Sequence, residues 1–152
     1  MVYNFLVKDI ESNLSQKAIG TDKGLAKIGD AIVNLTYSVA KSVYLTKNTN
    51  SKAIVRTGTK VGKKILAEAL KKAGMKDFAR SRADAHDMAD TVEAIVAYIW
   101  ITEKMSIKEI TDFLIEHLEG DLNSRIEEIA GARGAFVSLL NFIKQFLPDN
   151  KS

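Results

Sequence analysis

The sequence predicts an all-α domain. Three observations carry that reading: apolar residues recur with a 3.6-residue period over long stretches, alternating β-branched runs are missing, and the single proline, Pro148, lies near the end of the chain. Residues from about 2 to 18 are expected to form a first amphipathic helix that stops near Gly20. Thr21 or Asp22 then caps a long second helix reaching about Lys47, ended by the polar linker Lys47-Asn-Thr-Asn-Ser51. A short turn around residues 52–56 leads to a helix from about Lys60 to Ala73, with Gly74 just past its C-cap. The segment Arg80-Ser-Arg82 connects to a helix from about Ala85 to Glu103. Ser106-Ile-Lys-Glu109 is a capping box that opens another helix, closed by Gly120. The final helix starts near Asp121 or Ser124, is interrupted at Gly131 and Gly134, and runs to Leu147, where Pro148 ends it. No repeat and no shift of composition divides the chain, so residues 1–152 are expected to make one domain.

Two of these helices are apolar nearly all round, as central helices are. In the second, Leu25, Ile28, Ile32, Leu35 and Val39 form one stripe, and Ala26, Val33, Tyr37 and Ala40 form another beside it. In the helix from Ala85, Val92, Ile95, Val96 and Ile99 lie on one side, and Ala94, Ala97, Tyr98 and Ile101 continue round it. On the final helix Ala135, Phe136, Leu139, Leu140, Phe142 and Phe146 suit either the core or a dimer surface.

Composition excludes several classes of function. The 152 residues are 46% hydrophobic and 27% charged and contain no cysteine, so neither a disulfide framework nor a thiolate zinc site is possible. A reducing, cytoplasmic setting is expected, and a metal would have to use Asp, Glu or the two histidines. The longest apolar run, Ala94 to Ile101, is far short of the ~20 residues that span a bilayer. The first ten residues show neither a basic leader nor a signal-length apolar stretch, and are expected to belong to the mature fold.

Charge is distributed unevenly although the net is only +3. Residues 41–82 hold twelve basic side chains against Glu68 and Asp77, a net of +10, whereas residues 83–152 hold six basic against thirteen acidic, a net of −7. A block this basic, interleaved with Thr57-Gly-Thr59, is the footprint of a phosphate-backbone binder; a solvated helix face is the alternative. Lys52, Arg56, Lys60, Lys63, Lys64, Arg80 and Arg82 are the candidate contacts to such a polyanion.

The acids are informative where packing does not account for them. Asp84 and Asp87 stand where a helix begins, and capping explains both. Asp90 and Glu93 lie beyond the first turn, on one face at i, i+3, of a helix that then becomes wholly apolar. Asp30 falls about two turns into the second helix, on its Ala26–Val33–Tyr37 stripe, with an exposed pair to Lys27 as the bland reading. Carboxylates on central helices are costly unless a cation neutralises them. Clustered Asp and Glu suit Mg²⁺ or Mn²⁺, which take oxygen ligands and serve phosphodiester hydrolysis; a structural ion-pair network is the alternative.

Other motifs fail on their requirements. His86-Asp87 spells the pair of a His-Asp phosphohydrolase, yet no histidine precedes it. His117 has no ligand-spaced partner and reads as a boundary residue. Gly58-Thr-Lys-Val-Gly62 is followed by Lys-Lys, where a P-loop requires Lys-Ser/Thr.

Two segments resemble the ribonuclease III family. Leu25-Ala-Lys-Ile-Gly-Asp30-Ala-Ile-Val-Asn34 is similar to its signature helix, built on Gly-Asp-Ala, and Ala89-Asp90-Thr-Val-Glu93-Ala-Ile-Val-Ala-Tyr98 to its second acidic helix. Val61 to Phe78 resembles the intervening helix, so the likeness covers roughly residues 20–118 in order. The resemblance implies that Asp30, Asp90 and Glu93 hold Mg²⁺ (or Mn²⁺) and activate the water that cuts double-stranded RNA, in a homodimer with one site per protomer. The family usually carries Glu four residues before the Gly-Asp aspartate; this chain has Ala26, as does the compact Mini-ribonuclease III branch with its Leu-Ala-x-x-Gly-Asp-Ala. About 35 residues follow Glu116, too few for a double-stranded-RNA-binding domain, so the basic segment is expected to grip the phosphates of the duplex itself. A non-catalytic RNA-binding or ribosome-associated relative is the alternative that Ala26 favours. An all-α nucleotide pyrophosphohydrolase is a third, although Glu127-Glu128 is adjacent rather than spaced by a turn.

Overall fold

The computed structural model describes residues 3–48 and 52–149. Every regular element among them is helical: α1 (Lys8–Glu11), α2 (Gln16–Gly20), α3 (Lys23–Lys47), α4 (Lys63–Lys72), α5 (Ala85–Ile101), α6 (Ile107–His117) and α7 (Arg125–Ile143), with short 3₁₀ turns at Asn4–Val7, Lys76–Phe78 and Lys144–Phe146. None of the helices is long and apolar enough to cross a membrane.

Caps set most boundaries where the sequence places them. Asp22 accepts from the Leu25 N–H to start α3, and Asp84 with Asp87, and Ser106 with Glu109, form capping boxes for α5 and α6. Ser124 opens α7, and Gly74 and Gly120 take the positive φ that closes the preceding segments.

Four expectations need correction. The first helix is broken, because Ser15 caps a new start by accepting from the Ala18 N–H and so divides the segment into α1 and α2. Residues 52–62 form no helix or tight turn; they run along α3 as an extended strap, and α4 begins only after Gly62, whose backbone is extended. Glycines do not interrupt α7. Gly131 lies inside the helix where an added Cβ would stand 2.4 Å from the Glu119 carbonyl, so it is a contact point rather than a break. Finally, Leu35 and Val39 are 53% and 43% exposed, because α5 and α6 cover the opposite side of α3. Residues 49–51 of the polar linker lie outside the described residues.

Helix α5 is the centre. It packs on α3 to one side and α4 to the other, and from Met88 to Ile101 nearly all its side chains are buried. Helix α7 closes the far side against α4 and α6, burying Ala135, Phe136, Leu139 and Leu140 while Phe142 stays 41% exposed. Four of the apolar residues of the final helix therefore belong to the core.

The strap is held by a regular set of polar contacts. Val55, Thr57 and Thr59 each donate a backbone N–H to a hydroxyl of α3, Thr46 (2.8 Å), Ser42 (3.0 Å) and Ser38 (2.9 Å) respectively. The pairing runs antiparallel to the helix. Lys41 adds a bond from its ammonium to the Thr59 hydroxyl at 2.9 Å. Ile54, Arg56, Gly58 and Lys60, the alternate residues, face solvent.

Candidate active site

The site begins with a glycine. A Cβ on Gly29 would lie 1.7 Å from the Glu93 carbonyl oxygen, so only glycine lets α3 and α5 approach so closely at this level. The next residue on α3, Asp30, is thereby set beside the Glu93 side chain of α5, and the two carboxyls share a hydrogen bond. Burial pushes the Glu93 carboxyl up to about 8; the bond to Asp30 and the charges of Asp30 and Asp90 push the same way, against Lys63. Two acids thus face each other with a proton between them.

One turn earlier on α5, Asp90 belongs to the same cleft but is engaged elsewhere. Its Oδ2 accepts from the Lys23 ammonium at 3.1 Å and stands 3.7 Å from His86 Nε2, while Lys63 donates to His86 Nδ1. Asp87 is bound by Arg80 at 2.6 Å, which holds its carboxyl below the ordinary range, helped by the Asp84 N–H. Asp84 and Asp87, as expected, serve the start of α5, and Arg80 joins them there.

Together the side chains line a cleft of about 270 Å³ whose walls are Lys23, Ala26, Lys27, Asp30, Lys60, Val61, Lys63, Asp90 and Glu93. All three expected carboxyls are there, with four lysines round them. Asp30 is partly buried in the wall rather than out on a solvated face, and Ala26 lies in the same wall, where a longer acid would reach the cleft. Among the described residues no three acids or histidines converge closely enough to form a ready metal cage: Asp30 and Glu93 meet, and Asp90 is drawn to Lys23. The donor set still suits a hard divalent ion, since every acidic donor is a carboxyl oxygen and the facing pair holds a proton where a cation would neutralise it better.

Of the candidate RNA contacts, Lys60 and Lys63 line the cleft, and Lys52, Arg56, Lys64 and Arg82 are exposed nearby in sequence. Arg80 is exposed but committed to Asp87. Sequence reasoning assigned no part to Lys23, which holds Asp90, or to Asn34, whose amide donates to the Asp30 carboxyl at 3.1 Å. For Asn34 a signal existed, because an Asp–Asn pair at i, i+4 shares a helix face.

A family model described as Ribonuclease III matches residues 23–148. Comparison with curated proteins finds no match. The matched stretch runs from the start of α3 past the end of α7 and contains Asp30, Asp90 and Glu93 in the arrangement just described. By a match over most of its length, the chain belongs to the ribonuclease III family.

Proposed function

We propose that the chain is a divalent-metal-dependent endoribonuclease that cuts double-stranded or structured RNA, acting as a homodimer of single-domain protomers in the cytoplasm. The observation that carries the reading is the close approach at Gly29, which sets Asp30 against Glu93 in a lysine-lined cleft. The family is one of RNA-processing nucleases, and nothing in the packing requires two acids there.

In this reading Asp30, Asp90 and Glu93 hold Mg²⁺ or Mn²⁺, with Asp90 exchanging Lys23 for the ion. When bound, such an ion supplies an acidified water and charge at the leaving oxygen. The chain's own part is positioning. Lys60 and Lys63 at the cleft, and Lys52, Arg56, Lys64 and Arg82 beside it, neutralise backbone phosphates and hold an A-form duplex by shape. Arg80 acts indirectly, by keeping Asp87 and the start of α5 in place.

A labelled RNA duplex incubated with the protein and Mg²⁺, Mn²⁺ or EDTA tests the reading, with Glu93→Gln as the contamination control. Metal-dependent cutting that disappears in the variant supports it. The second reading, a non-catalytic RNA-binding relative, is favoured by Ala26 in the cleft wall. Binding that persists in EDTA, with no cutting under either ion, selects it.

A further inference from the structure

Asn34 stands one turn beyond Asp30 on α3 and faces two ways. Its Nδ2 donates to the Asp30 backbone oxygen at 2.8 Å and to the Asp30 carboxyl at 3.1 Å, while its Oδ1 accepts from the Val61 N–H at 2.8 Å. The Asp30 backbone carbonyl can only accept and the Val61 N–H can only donate, so the position calls for a donor and an acceptor on one short head. An amide supplies both; a carboxylate lacks the donors.

This contact is the last of a series. Thr46, Ser42, Ser38 and Asn34 recur every four residues, ~6.0 Å along an α-helix. They meet Val55, Thr57, Thr59 and Val61, which recur every two residues, ~6.6 Å along extended backbone. The two repeats nearly coincide, which lets helix and strap stay in register over four contacts. The first three touch the strap without touching the cleft. Only Asn34 also touches a carboxyl of the site, and its strap partner Val61 lines the cleft beside Lys60.

We propose that Asn34 is a positioning residue of the carboxyl site: one amide fixes the Asp30 carboxyl and the register of the cation-bearing strap, so that the acid and Lys60 keep a set separation. The inference rests on reading Asp30 and Glu93 as divalent-ion ligands. It predicts that Asn34 governs ion affinity, which a contact that merely pinned the strap would not.

The test measures Mn²⁺ binding to the full chain by calorimetry, together with amide hydrogen exchange at Thr59 and Val61, in Asp30→Asn, Asn34→Ala and Ser38→Ala. Asn34→Ala is expected to weaken Mn²⁺ binding about 10–100-fold and to speed exchange at Val61, because partners that orient a ligand contribute on that scale. Ser38→Ala is expected to speed exchange at Thr59 and leave Mn²⁺ affinity as it was. Asn34→Ser replaces the alanine variant should that one not fold. Loss of affinity in Asp30→Asn with none in Asn34→Ala, or an equal loss in Ser38→Ala, overturns the positioning role alone. Full affinity in Asp30→Asn overturns the ion-ligand reading, and the positioning role with it.

Discussion

Helix α3 carries acids or their partners at two levels, and the protein treats them in opposite ways. Near its C-terminal half, Glu128 of α7 is 5% exposed and fully matched: Lys41 reaches it at 2.8 Å, the Tyr37 hydroxyl at 2.9 Å and Arg125 at 3.2 Å. Burial acts to raise the Glu128 carboxyl, but Lys41 and Tyr37 overcome it and leave the group below its ordinary range. At Asp30 the neighbouring acid, Glu93, is met by another acid and is pushed up. A fold that can neutralise a buried carboxylate with two cations and a hydroxyl has left a pair of acids unmatched eleven residues away. The matched level is built for stability; the unmatched one leaves room for a ligand of positive charge.

The largest effect is expected where the matched level is broken. Lys41→Met leaves Glu128 buried without its nearest cation, and removing one partner of a buried pair costs about 3–5 kcal/mol. Adding Glu128→Gln to Lys41→Met should recover much of that loss, since the neutral amide removes the stranded charge and its oxygen still accepts from the Tyr37 hydroxyl. Urea midpoints of the two variants measure the difference. Equal destabilisation by the single and double changes would show that Glu128 acts through something other than its charge.

At the unmatched level the expected cost falls on catalysis instead. Asp30→Asn or Glu93→Gln should reduce RNA cleavage on the order of 10²–10³-fold, the scale of losing one group that stabilises charge in the transition state. Folding and duplex binding should stay close to those of the parent. Cleavage at the parental rate in both variants would remove the site from this cleft.

The two levels should also tilt stability in opposite directions with pH. Glu93, raised from 4.5 to about 8, binds its proton more tightly in the fold. Its contribution is present below pH 4.5 and is lost as pH rises towards about 8 in metal-free protein. Glu128 is lowered, so its contribution is present above 4.5 and is lost as pH falls through its folded value. Thermal unfolding from pH 3 to 9 in EDTA should therefore show Glu93→Gln flattening the decline between pH 4.5 and about 8 alone, with the acid limb below pH 4.5 left as it was. A variant that instead flattens the acid limb would reverse the assignment.

The sequence carried the unmatched level better than the matched one. Asp30, Asp90 and Glu93 stood out because each interrupts an otherwise apolar helix, and the resemblance of their two segments to the ribonuclease III helices chose a metal site over an ion-pair network. Glu128 looked unremarkable beside Glu127, since its partners Tyr37 and Lys41 lie about ninety residues away and share no motif with it. The strap was harder still. Ser38, Ser42 and Thr46 recur every four residues yet pass as ordinary helix residues, because a small hydroxyl there can equally bond its own helix backbone, as Ser42 does with the Ser38 carbonyl. In the first twenty residues the apolar period suggested one helix, and a single serine cap at Ser15 outweighed it.

The smallest effect tests whether the strap serves the acid level. Arg56 and Lys60 project outward from alternate strap positions four residues apart, ~13 Å along extended backbone. That spacing lets them reach separate phosphates rather than compete for one. Each phosphate contact with duplex contributes about 0.9 to the slope of log affinity against log salt, so Arg56→Gln with Lys60→Gln should lower the slope by about 1.8. Their loss should raise KM at low salt more than it changes kcat, because both side chains bind the duplex before and during the reaction alike. Salt titrations of duplex binding, read by fluorescence anisotropy in EDTA, give the slope without cleavage. If the slope stays unchanged, the strap's outward face is not part of the RNA path, and Lys63 and Lys64 at the start of α4 become the cations that guide the duplex to Asp30 and Glu93.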